Sequence, residues 1–77
     1  MEYDLDKVDD FALAILYFNA FKDYFQVRAW KGMDWDILNR LTEKGFIFDA
    51  KNKTKSVVFT DEGIAKGKEL IEKFFKK

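Results

Sequence analysis

Apolar residues recur at spacings of three and four through the first quarter of the chain. Val8, Phe11, Ala12, Ile15 and Phe18, with Lys22 in line, form one stripe, and Leu13, Leu16, Tyr17, Ala20 and Tyr24 form a second on nearly the opposite side. This period predicts a helix from about residue 6 to residue 21 or a little beyond. Asp4, Asp6, Asp9 and Asp10 suit its cap and first turn, where acids face the positive end of the helix dipole. A helix apolar around most of its circumference is covered around most of it. Two arrangements are open: a central helix wrapped by the other elements, or a helix with one face in the core and the other against a second copy of the chain. The candidate interface residues are Leu13, Leu16, Tyr17, Ala20, Tyr24, Leu70 and Phe74.

The pattern weakens over residues 23–32, where Tyr24, Phe25, Val27 and Trp30 alternate irregularly with Arg28 and Lys31. A helical extension followed by a short extended segment fits it. After Gly32 the period returns. Asp34 caps a second helix over about residues 34–44, with Ile37, Leu38 and Leu41 on its buried side. Gly45 takes the left-handed position past its end, which folds Phe46 back on Leu41 as a Schellman motif requires. Alternation then replaces helical spacing. Residues 46–50 and 56–60 read as two strands around the basic turn AKNKTK, in which Asn52 can take a left-handed position. Thr60 caps a last helix over about residues 61–75, with Asp61 and Glu62 in its first turn. Gly67, inside that helix, costs roughly 1 kcal/mol against Ala and is expected to permit close approach of another helix, the first being the natural candidate.

Together these elements predict a single α+β domain over residues 1–77. It is a small winged-helix-like fold of three helices and one two-stranded antiparallel hairpin, in the order helix-helix-hairpin-helix.

Composition narrows the chemistry. Apolar residues make up 48% of the chain and aromatics 18%, nine of them Phe, enough for a compact core with little margin at 77 residues. Neither Cys nor His is present. Disulfides, the usual transition-metal sites and the Ser-His or Cys-His nucleophile pairs are therefore excluded. The glycines form no phosphate-binding loop. Asp34 and Asp36, two apart at a helix start, do not share a face and serve better as cap and dipole partner. No enzymatic role, cofactor, metal or small-molecule substrate is expected.

Fourteen basic residues balance fourteen acidic ones, whereas autonomous nucleic-acid-binding domains are usually basic. The charges are nevertheless segregated. The first ten residues are acidic, and Lys51, Lys53 and Lys55 cluster at the hairpin tip. The acidic start predicts neither a signal nor a transit peptide, and the longest apolar run, residues 11–18, is too short to span a bilayer. A soluble, cytoplasmic protein is expected.

The string WDILNRLTEKGFIFDAKNKTKSVVFTDEG resembles the second half of winged-helix regulators of the MarR and PadR kind. There a recognition helix ends in an LxxKGxI pattern, and a wing leads to an LTxxG helix start. Leu41, Lys44, Gly45 and Ile47 answer to the first pattern. Thr60 and Gly63 answer to the second, with Phe59 in place of its Leu. Over nearly its full length, through YDLDKVDD, VRAWKGMDWDILNRLTEKGFI and KSVVFTDEG, the chain also resembles a family of small bacterial proteins of unknown function.

The winged-helix resemblance implies DNA contact through the second helix and the wing, by Asn39, Arg40, Lys51, Lys53 and Lys55. Against it stand the acids Asp34, Asp36 and Glu43 on that helix, and the little room before it for the helix that braces a helix-turn-helix. The favoured expectation is a homodimeric protein-interaction module without intrinsic DNA binding. The alternative is a small DNA-binding transcriptional regulator.

Overall fold

A computed structural model describes residues 2–23, 26–30, 32–48 and 55–77. Its elements run α1 (Leu5–Phe18), β1 (Phe21–Asp23), β2 (Gln26–Trp30), α2 (Trp35–Glu43), β3 (Ser56–Val58) and α3 (Asp61–Phe75). The three helices pack with one antiparallel sheet of order β1-β2-β3.

The Asp4 carboxylate starts α1 by accepting the N–H groups of Asp6 and Lys7 at 3.1 and 3.2 Å. Asn19 ends it: its backbone N–H and its side-chain amide both donate to the Ile15 carbonyl. The helix therefore stops at Phe18, short of the expected residue 21. The expected helical extension beyond it is instead strand. Phe21 faces Arg28, and Asp23 faces Gln26, in an antiparallel pair. Phe, Val and Trp favour a pleated surface, and that preference prevails once Asn19 has closed the helix. The element order is thus helix, two strands, helix, strand, helix, rather than helix-helix-hairpin-helix.

The expected hairpin between residues 46–50 and 56–60 is also changed. β3 pairs mainly with β2, with Arg28 opposite Val58 and Trp30 opposite Ser56. On its other side, among the described residues, it meets the earlier segment at the bridge of Ile47 to Phe59. Two backbone bonds flank the bridge, Phe48 N–H to the Val58 carbonyl and Thr60 N–H to the Phe46 carbonyl. Residues 49–54, with the expected turn at Asn52, lie outside the described residues.

The core gathers Leu13, Ala14 and Leu16 of α1, Ala29 and Val57 of the sheet, Leu38 and Leu41 of α2, Ile47, Phe59 and Leu70. α1 packs against α2, α3 and β2, so it is the central helix. At the end of α2 the Schellman motif forms as expected. Gly45 has φ +81°, its N–H donates to the Thr42 carbonyl, and the Phe46 N–H reaches the Leu41 carbonyl at 3.0 Å. Thr60 caps α3 by accepting the Gly63 N–H at 2.9 Å. Gly67 lies against Tyr17 of α1: a Cβ there would stand 2.6 Å from the Tyr17 Cγ. This is the close approach that its place inside a helix implied.

Candidate interaction surface

α1 has one side in the core and one side bare. Ala12, Leu13, Ala14 and Leu16 are buried, whereas Phe11, Ile15 and Phe18 are 51%, 42% and 65% exposed. The bare residues follow one another at four and three positions along the helix, so they share a face. The end of α3 supplies two more rings. Phe74 stacks on Phe11 with centroids 4.4 Å apart and planes 12° from parallel. Phe75 meets Phe18 edge-on at 5.7 Å. The result is an apolar surface of Phe11, Ile15, Phe18, Phe74 and Phe75. Its rings are positioned by one another across two helices, with Phe75 still 39% exposed.

Ile15 also lines a second feature. A cleft of about 510 Å³ opens between the end of α1, the end of β2 and the segment leading to α2, bounded by Ile15, Leu16, Asn19, Ala29, Trp30 and Met33. Trp30 is 63% exposed, with its ring centroid 5.2 Å from that of Phe21. The aromatic surface and the cleft therefore adjoin along Ile15.

Of the expected interface residues, Phe74 belongs to this surface, and Leu13, Leu16, Tyr17, Ala20 and Leu70 face the core. Leu13, Leu16 and Leu70 are 0%, 3% and 2% exposed and offer no surface to a second copy. Tyr17 and Ala20 pack against the core, and Tyr17 sets its ring edge-on to Phe59 at 5.6 Å. Phe74 packs partly on the core and partly on Phe11. Tyr24 lies outside the described residues. Both stripes of α1 are equally apolar in sequence, and the choice between them is made by α3 and the sheet, which close over the leucine side. The spacing of Phe11, Ile15 and Phe18 was the available signal for the bare side.

Of the candidate DNA contacts, Asn39, Arg40 and Lys55 fall within the described residues. Arg40 Nε donates to both carboxylate oxygens of Asp9, at 3.0 and 2.9 Å. Lys44 Nζ joins Asp9 and Asp6, each at 2.9 Å. The Asp9 side chain is 1% exposed. Burial pushes its carboxyl up, but hydrogen bonds from Arg40 and Lys44, and their charges, outweigh burial and hold it below the ordinary carboxylate range. Burial likewise opposes the charge on Lys44, and the bonds to Asp9 and Asp6 raise it overall. Arg40 is thus tied to the α1–α2 junction, with its side chain 27% exposed. Asp9, read in sequence as a helix-start acid, is the buried centre of that junction. Asn39 is half-buried, and Lys55, Trp35 and the acids Asp34, Asp36 and Glu43 are exposed. Lys51 and Lys53 lie outside the described residues.

Among the described residues, no helix is long and apolar enough to cross a membrane. An uncharacterized protein of the bacterium Sinorhizobium fredii, y4hR, is 45% identical over 75 residues, covering 97% of each chain. No solved structure matches the chain significantly. Residues 4–77 match the family model of the domain of unknown function DUF6429, and on that match and the full-length bacterial relative the chain belongs to this family.

Proposed function

We propose that this chain is a homodimeric protein-interaction module, joined through the outer face of α1 and the end of α3. The observation that carries the proposal is the exposed surface of Phe11, Ile15, Phe18 and Phe75. Its rings are pre-positioned by stacking, and contiguous apolar surface of this kind marks association sites. Fixed aromatic rings lose little conformational freedom on binding and dominate interface energetics. Charge supports a second copy as the occupant. Exposed Glu2 and Asp4 border the start of α1, ahead of Lys7, and exposed Lys73, Lys76 and Lys77 border the end of α3, where Lys76 also pairs with Glu72 at 3.1 Å. A two-fold arrangement sets the acidic border of one copy against the basic border of the other.

We read the architecture as a reduced winged helix. α2, the bridge between Ile47 and Phe59, and α3 follow the recognition-helix, wing and helix order of the sequence resemblance. Only the short segment after Trp30 precedes α2, too short for a bracing helix. The Asp9–Arg40 bond and the exposed acids of α2 support a role without intrinsic DNA binding.

Sedimentation of the purified chain across micromolar concentrations tests the dimer. Phe18→Asp is expected to leave a folded monomer. A wild-type chain that stays monomeric well above those concentrations overturns the proposal.

A further inference from the structure

Resting on that dimer, we infer that each copy seats its Phe18 ring in the Trp30 cleft of the other. A two-fold contact uses the same patch on both partners, so any protrusion on the patch must meet a recess on the same patch. This surface offers both. Phe18 is its most exposed ring, 65% accessible, and is held from below by Phe75. The recess is the cleft of about 510 Å³ whose floor is Leu16 and Ala29 and whose walls include Trp30 and Met33. Ile15 lines both the recess and the Phe18–Phe75 side.

An axis passing by Ile15 exchanges ridge and recess between the copies. The recess suits the ring chemically. Leu16 and Ala29 close its base, and Ile15, 42% exposed, and half-buried Met33 supply the apolar surface along its sides. Trp30 offers an indole face to an incoming phenyl ring, and Met33 a flexible thioether that adapts to its edge. Seating Phe18 removes the indole from water, and buried aromatic anchors in pockets are where binding energy concentrates.

Trp30 reports on the contact directly. The chain has two Trp residues, so Trp35→Phe leaves Trp30 as the sole indole emitter. In this variant, sedimentation and acrylamide quenching are followed over the same concentration range. As dimer forms, Trp30 emission is expected to move to shorter wavelength, and its quenching constant to fall at least twofold. Adding Phe18→Ala is expected to weaken dimerisation tenfold or more and to keep Trp30 fully quenchable, while circular dichroism remains that of the parent. A dimer in which Trp30 stays as quenchable as in the monomer overturns the seating and leaves the dimer standing. A chain that remains monomeric throughout overturns both.

Discussion

The Thr60 hydroxyl donates to the Gly45 carbonyl at 2.6 Å while accepting the Gly63 N–H at 2.9 Å. One side chain thus joins the turn that ends α2 to the first turn of α3. The Phe46 carbonyl between them accepts the Thr60 N–H, and a Cβ on Gly63 would lie 1.8 Å from that oxygen. The KGxI and TxxG patterns are therefore two halves of one clasp. Their chemistry fastens the end of α2, the strand segment after it and the start of α3. Thr60→Ala is expected to destabilise the chain by about 1–2 kcal/mol through loss of the cap, as read by urea unfolding, and Thr60→Ser to recover most of it. Gly63→Ala forces its methyl group against backbone and is expected to cost more than Thr60→Ala.

Gly67 makes a separate test of helix packing. Substitution by Ala improves helix propensity by roughly 1 kcal/mol, yet its Cβ would press on the Tyr17 Cγ and Cβ at 2.6 and 2.8 Å. Overpacking costs about 1–3 kcal/mol, and these atoms sit at the root of the ring, where rotation gives no escape. Gly67→Ala is expected to lower the melting temperature, whereas Lys68→Ala, at the exposed neighbouring position, leaves it unchanged or slightly higher.

The Asp9 cluster predicts an acid-side loss of stability. Its carboxyl is held below the unfolded value of 3.8, so its contribution is complete above that pH and disappears as pH falls through the lower, folded value. Asp9→Asn removes the charge that Arg40 and Lys44 share and is expected to cost about 3 kcal/mol at neutral pH, the low end for a buried pair because both cations are partly exposed. Urea midpoints measured from pH 6 downward check the sign: the wild-type advantage over Asp9→Asn shrinks below pH 4.

The proposed dimer has a salt signature. If its acidic and basic borders face each other, their attraction is screened within about 10 Å at 0.1 M salt. Rising sodium chloride is expected to weaken association severalfold, and Lys76→Glu with Lys77→Glu to weaken it at low salt. Sedimentation of both chains at two ionic strengths distinguishes this from a purely apolar contact, which salt does not weaken.

What the sequence made legible was local chemistry. Asp34 at the cap of α2, Gly45 past its end, and the bounds of α3 are each fixed by residues within a few positions of the event. What remained hidden depended on distant partners. Arg28 pairs with Phe21 on one side and Val58 on the other, and nothing within residues 23–32 specifies a strand thirty residues later. The two faces of α1 were equally apolar, so only α3 and the sheet could decide which was covered. Asp9 looks like any helix-start acid until α2 brings Arg40 and Lys44 to it.

Among the described residues, the three residues of β1 form one outer margin of the sheet. A free margin invites further strands, and a long flat one would let copies add without limit. Here it is too short to template such growth, and it carries the exposed charge of Lys22. The opposite margin, β3, is already partly occupied by the bridge from Ile47. Open-ended polymerisation through the sheet is thus disfavoured at both margins, which leaves the helical face as the site for the closed pair of copies proposed above.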